Sequence, residues 1–164
     1  MIRSMLYATD LGIYAPYVLQ HALALARAFK AELHVVHAVE PIGRFGESVL
    51  RSYLNDAALH TLQQQKISDV LVAIEQRVLQ ELHDDLADSG HDLALIQAVR
   101  VVQGDAAEVI LDQARRLDVD LLVMGNRCAG SNQAPALGRT ASRVLQLARA
   151  PVYLVPRPAM AVAH

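Results

Sequence analysis

Two stretches of the chain carry residue types suited to holding an anion. Met124-Gly125-Asn126-Arg127-Cys128-Ala129-Gly130 follows a short apolar run, and Leu137-Gly138-Arg139-Thr140-Ala141-Ser142 opens a helical pattern. Glycines let backbone amides approach a ligand closely, and the free N–H groups and partial positive charge of a helix N-terminus favour phosphate. Arg127, Arg139 and Arg143 add positive charge at the same end of the chain. The glycines also fit a plainer role, Gly125 ending a strand and Gly138 making a turn. Asp10, after the first apolar run, reads either as a hydrogen-bonding acid for a ligand or as a strand-end Asx turn feeding a helix at Pro16.

Other chemistries find less support. His34 and His37 are three apart in a strand pattern, so they point to opposite faces and cannot chelate one metal. The remaining histidines (His21, His60, His83, His91 and His164) are scattered without H-x3-H or carboxylate spacing, and no metal is predicted. Cys128 reads as a redox-sensitive thiol if a helix N-terminus lowers its pKa, or as an incidental thiol with no resolving cysteine. Ser131 lacks an evident base. The absence of G-x-x-x-x-G-K-[ST], and of G-x-G-x-x-G after the first strand, argues against a P-loop NTPase and an ordinary dinucleotide enzyme. A phosphoacceptor receiver domain needs an acidic pair after the first strand and an acceptor Asp after the third, whereas this chain has Asp10 alone.

The composition describes what must position these loops. The chain has 164 residues, 53% hydrophobic, 4% aromatic and 20% charged, the profile of one globular domain. At this length roughly 70% of the unfolded surface can be buried, so a core needs neither disulfide nor metal. One cysteine excludes an internal disulfide. A net charge of −2, with Lys+Arg 15 against Asp+Glu 17 and no long basic run, argues against nucleic acid as a partner. Met1 to Thr9 is too short for the apolar core of a signal peptide, and no uncharged apolar stretch approaches the roughly 18 residues needed to span a bilayer. A soluble protein in the reducing cytoplasm is expected.

Short runs rich in Val, Ile and Leu alternate with helical spacing, the pattern of a parallel sheet covered by helices. Strands are expected at Ser4 to Thr9, Glu32 to Val39, within Leu93 to Gln103, at Asp120 to Gly125 and at Pro151 to Pro156. Pro16 opens a helix with its apolar face on Val18, Leu19, Ala22, Leu23, Ala26 and Phe29. Ile67, Val70, Leu71, Ile74, Val78, Leu82 and Leu86 predict a long helix or a broken pair that stops at Ser89-Gly90. Asp105 to Glu108 has capping-box spacing for a helix to about Leu117, and another helix covers Arg139 to Arg149. Residues 1–156 read as a single open α/β domain, and 157–164 as a mobile tail. In such a fold ligands bind beyond the carboxyl ends of the strands, in the loops after Asp10, Glu40 and Asn126.

With these elements in place, the chain resembles the universal stress protein family over nearly its whole length. Tyr7-Ala8-Thr9-Asp10 looks like that family's first-strand ending, Leu33 to Pro41 (LHVVHAVEP) like its second strand, and Pro151 to Pro156 (PVYLVP) like its last. The family's nucleotide motif, G-x2-G-x9-G-[S/T], falls in frame on Gly125, Cys128, Gly138 and Arg139, with the residues kept at Gly125 and Gly138. The resemblance implies strand order 3-2-1-4-5 and an adenine nucleotide, ATP or AMP, bound between the ends of the first and fourth strands. By correspondence, Asp10 meets adenosine with Ala8 beside it, and Ala38 lies on the adenine side. Met124 and Gly125 flank the ribose and phosphates, and Gly138 and Thr140 give backbone N–H groups to phosphate. Arg139 stands where a small hydroxyl residue caps the helix, so it either pairs with phosphate or displaces it, and Cys128 narrows the cradle or resists a positive φ. The resemblance further implies a homodimer joined through the last strand, whose apolar Val152, Tyr153, Leu154 and Val155 would be an aggregation hazard as a bare edge. The functions implied are a nucleotide-binding sensor or regulator in stress response, or a dimeric scaffold of the same fold that binds no nucleotide and docks a protein partner. Slow ATP hydrolysis is the one enzymatic possibility, without a visible general base or metal motif.

Overall fold

A computed structural model of the chain describes residues 1–41, 52, 55–88, 90–126 and 137–158. Five strands, β1 (Ser4–Ala8), β2 (Glu32–Val39), β3 (Ile96–Gln103), β4 (Leu121–Gly125) and β5 (Val152–Val155), form one parallel sheet in the order β3-β2-β1-β4-β5. β1 and β4 lie centrally and are buried on both faces, which is why they read as continuous apolar runs without alternation. The register sets Ala8 beside Val36 on one side and Met124 on the other, and Gly125 beside Val155. The carboxyl ends of four strands therefore finish together.

Helices cover both faces. α1 (Ala15–Phe29) and α2 (Asp56–Asp85) pack on the face carrying Met5, Tyr7, Leu33, Val35 and Val123. After a short helix α3 (Gly90–Leu93), α4 (Ala106–Arg116) and α5 (Arg139–Leu147) pack on the face carrying Leu6, Ala8, Val36, Leu122 and Met124. Local chemistry explains the helix ends. Pro16 sits in the first turn of α1, the Asn55 side chain accepts from the Ala58 amide to start α2, and Asp105 accepts from the Glu108 amide to start α4. The reciprocal half of the expected capping box is replaced by a bond from Arg143 of α5 to the Glu108 carboxylate at 3.1 Å.

α2 departs from expectation in two respects. Its 30 residues span about 45 Å, far longer than any strand it covers, so only the C-terminal part reaches the sheet. Val78, Leu82 and Leu86 are buried, while Val70, Val72 and Leu79 are about half exposed. The helix also ends at Asp85, and Gly90 begins α3 in place of terminating α2. α3 holds the buried Asp92, which forms an ion pair with Arg27 in the last turn of α1. At the opposite edge of the sheet from the strand ends, Asp120 accepts from the Arg3 and Ser4 amides at 2.8 and 3.1 Å, which holds its carboxyl below the usual range.

Candidate functional site

The ends of β1, β2, β4 and β5 open onto a cavity of about 230 Å³. Ala8, Asp10, Ala38, Met124, Gly125, Gly138 and Thr140 all line it. Arg139, the first residue of α5, is exposed and is not among the lining residues, and Cys128 lies outside the described residues, as does Arg127.

The wall at β1 and β2 is built by a chain of local bonds. The Thr9 amide donates to the Val36 carbonyl at 2.9 Å, extending the ladder one residue past β1. The Thr9 hydroxyl accepts from the Leu11 amide at 3.1 Å, and the Asp10 carboxylate accepts from the Gly12 amide at 2.9 Å, an Asx turn that leads into α1. The Asx turn read for Asp10 is thus formed, and the same residue lines the cavity. His37 Nδ1 lies 2.8 Å from the Thr9 carbonyl oxygen. A carbonyl only accepts, so this nitrogen carries the proton and the neutral ring keeps a lone pair on Nε2. The buried Tyr7 hydroxyl donates to the Ala15 carbonyl at 3.0 Å, and burial pushes its phenol pKa up.

The wall at β4 and β5 is built around Asn126. Its amide donates to the Val155 carbonyl at 3.0 Å and its carbonyl accepts from the Gly138 amide at 2.9 Å. The Gly138 N–H, expected from the resemblance to meet phosphate, is engaged by the Asn126 carbonyl. With Gly138 as the N-cap and no side-chain cap among the described residues, the amides of Arg139, Thr140 and Ala141 are the first-turn donors without a helix-internal partner. Arg139 can thus contribute its backbone while its side chain stays outside. The buried Asn126 Oδ1 has no hydrogen-bond partner among the described residues, and an orphaned buried acceptor in a cavity wall suits a ligand donor. Arg143 is not free to add charge to the cavity, because it pairs with Glu108 at 3.1 Å and Asp105 at 4.0 Å.

Among the polar lining residues, Tyr7, Thr9, Tyr14, His37, Glu40, Asn126 and Arg157 were not anticipated as site residues. The Arg157 guanidinium lies 5.0 Å from the Tyr14 ring centroid and spans from the segment after β5 toward the loop after β1. This residue belongs to the stretch expected to be a mobile tail, of which 159–164 lie outside the described residues. His37 carried a usable signal, since it precedes Ala38 at the carboxyl end of β2, where ligands of this fold class bind. The cavity lining brings acceptors, from Asp10, Glu40 and His37, together with donors from Arg157 and the first turn of α5.

No group of three or more His, Cys, Asp or Glu side chains among the described residues is placed to hold a metal ion. His34 and His37 fall on opposite faces, alternating with Val36 and Val35 respectively. No helix among the described residues is long and apolar enough to cross a membrane.

Comparison with known proteins matches residues 1–156 to the model of the universal stress protein family. Universal stress protein YxiE of Bacillus subtilis is 26% identical over 158 residues, covering 94% of this chain and 99% of its own. Among solved structures, universal stress protein UspA from Lactobacillus plantarum superposes with a TM-score of 0.71 at 20% identity, over 94% of this chain and 97% of that one. A universal stress protein in complex with cAMP superposes with a TM-score of 0.56 at 17% identity, over 94% of this chain and 97% of that one.

Proposed function

Because the chain belongs to the universal stress protein family, we propose that it is an adenine-nucleotide-binding sensor or regulator, acting in the cytoplasm as a homodimer built on a domain of residues 1–156. The observation that carries this reading is the cavity at the ends of β1 and β4, whose lining combines hydrogen-bond acceptors and donors. An uncapped helix N-terminus and a guanidinium suit phosphate, while carboxylates and an imidazole lone pair suit the hydroxyls and amino group of a nucleoside. The exposed placement of Arg139 removes the steric objection that its replacement of a small hydroxyl residue raises. The cAMP complex of a family member lends support by likeness.

A second reading, a dimeric scaffold that binds no nucleotide, draws on Cys128, which occupies the second glycine position of the family motif. Mass spectrometry of the undenatured protein separates the two. Co-purified AMP or ATP supports the sensor, and a clean apoprotein that also fails to take up added nucleotide supports the scaffold.

A further inference from the structure

We propose that a second cavity, behind the turn that carries Asp10, is a binding site for a small aliphatic amine, its ammonium held by Glu81 and Asp85 and its alkyl body by Leu11, Ile13, Val78 and Leu82. The cavity measures about 250 Å³ and lies between the turn after β1, the start of α1 and the C-terminal part of α2. One turn divides it from the cavity at the strand ends. Asp10 and Tyr14 line that first cavity, Leu11, Gly12 and Ile13 line the second, and Tyr7, Thr9 and Ala15 are common to both. None of the six residues named for the amine lines the first cavity, so the proposal stands apart from the nucleotide reading.

The lining is apolar except where it carries negative charge. Val78 and Leu82 are buried, whereas Ile13 is 81% exposed, so an alkyl group seated against it withdraws apolar surface from water. The Tyr7 hydroxyl donates to the Ala15 carbonyl at 3.0 Å and the Thr9 hydroxyl accepts from the Leu11 amide at 3.1 Å, so both are engaged within the protein. Glu81 and Asp85, one helical turn apart on α2, therefore set the charge of the ligand. Glu81 accepts from Arg77 Nε at 2.9 Å through one oxygen, and Asp85 has no ion pair among the described residues. Burial, then the charges of Glu81 and Asp84, push the Asp85 carboxyl up. Asp85 also sits in the last turn of α2, where the helix dipole favours a cation. An ammonium group in the cavity relieves both conflicts. A carboxylate of the same shape meets repulsion, and the volume suits a ligand smaller than the drug-sized molecules that larger pockets take.

The test is NMR titration of the isotopically labelled chain with isopentylamine, with methylamine, which lacks the alkyl body, and with isovalerate, which carries a carboxylate in place of the ammonium. Wild type should bind isopentylamine with shifts centred on Ile13 and Leu82, at least about tenfold more tightly than methylamine because four further carbons are buried, and should not bind isovalerate. Asp85→Asn should weaken the amine by about tenfold. Asp84→Asn removes a neighbouring acid that does not line the cavity and should leave binding unchanged, with the folded state of both variants checked by thermal melting. No saturable binding by wild type at millimolar concentration, equal affinity for isopentylamine and methylamine, shifts confined to the first cavity, or an equal loss in Asp84→Asn and Asp85→Asn overturns the site.

Discussion

Arg157 stacks over Tyr14 across the mouth of the cavity, with 5.0 Å between the guanidinium and the ring centroid. The contact joins the segment after β5, the edge strand, to the loop after the central strand β1. It also holds a positive charge at the lining. Arg157→Ala should weaken AMP and ATP binding by on the order of tenfold, and Tyr14→Leu by less, because the leucine leaves the charge in place. Calorimetric titration of each variant reads this directly; unchanged affinity in Arg157→Ala would show that the clasp has no part in binding.

His34 makes folding sensitive to mild acid. Burial lowers its pKa from 6.5, with nearby Glu32 opposing and Arg100 assisting, and its Nδ1 is buried without a hydrogen-bond partner among the described residues. The unfolded chain therefore takes up the proton first as pH falls. Stability is full above 6.5 and is lost progressively as pH drops toward the lower folded value. Urea midpoints measured at about pH 7.5 and about pH 5.5 should differ more in wild type than in His34→Leu. Equal slopes in the two proteins would contradict the assignment.

Gly104 is required where β3 turns into α4. Its φ is +154°, its amide donates to the Val39 carbonyl at 2.9 Å, and a Cβ there would come within 2.9 Å of Val109 Cγ2. Val109 is β-branched and held in a helix, so it has little freedom to move aside. Gly104→Ala should cost about 1–3 kcal/mol by urea denaturation, and Val109→Ala in the same chain should recover part of it. A loss within error of zero would show that the turn relaxes.

Much of the fold was legible in the sequence because its signals are local. β2 runs from Glu32 to Val39 as the apolar spacing suggests, and Pro16, Asp105 and the short apolar runs mark element starts that depend only on neighbouring residues. The over-read stripe on α2 shows the limit: Val70 has helical spacing with Val78 and Leu82, yet spacing does not say how far a partner sheet extends. The lining of the cavity was legible where it follows strand ends, as at Ala8, Asp10 and Gly125. It was hidden where it depends on pairs distant in sequence. His37 bonds Thr9 across 28 positions and Arg143 bonds Glu108 across 35, so one became a lining residue and the other a neutralised one.

β5 pairs with β4 alone among the described residues, leaving its other edge open at the end of the sheet. Tyr153 is 37% exposed, and Leu145 and Leu147 of the neighbouring α5 are 41% and 56% exposed. An uncovered apolar edge invites pairing with a second copy. Sedimentation should give a dimer for wild type and a monomer for Tyr153→Lys or Leu154→Lys. A wild-type monomer at micromolar concentration would contradict the proposed assembly.

The most direct test of the proposed function is calorimetric titration of the protein with ATP and AMP, beside Gly125→Val and the double variant Cys128→Gly, Arg139→Ser. Gly125 lines the cavity between Met124 and Asn126, so a valine there intrudes on the ligand. The adenine-nucleotide reading predicts micromolar binding by wild type that Gly125→Val abolishes. No binding by wild type, with binding gained by the double variant, would contradict it and identify a degenerate site on a scaffold.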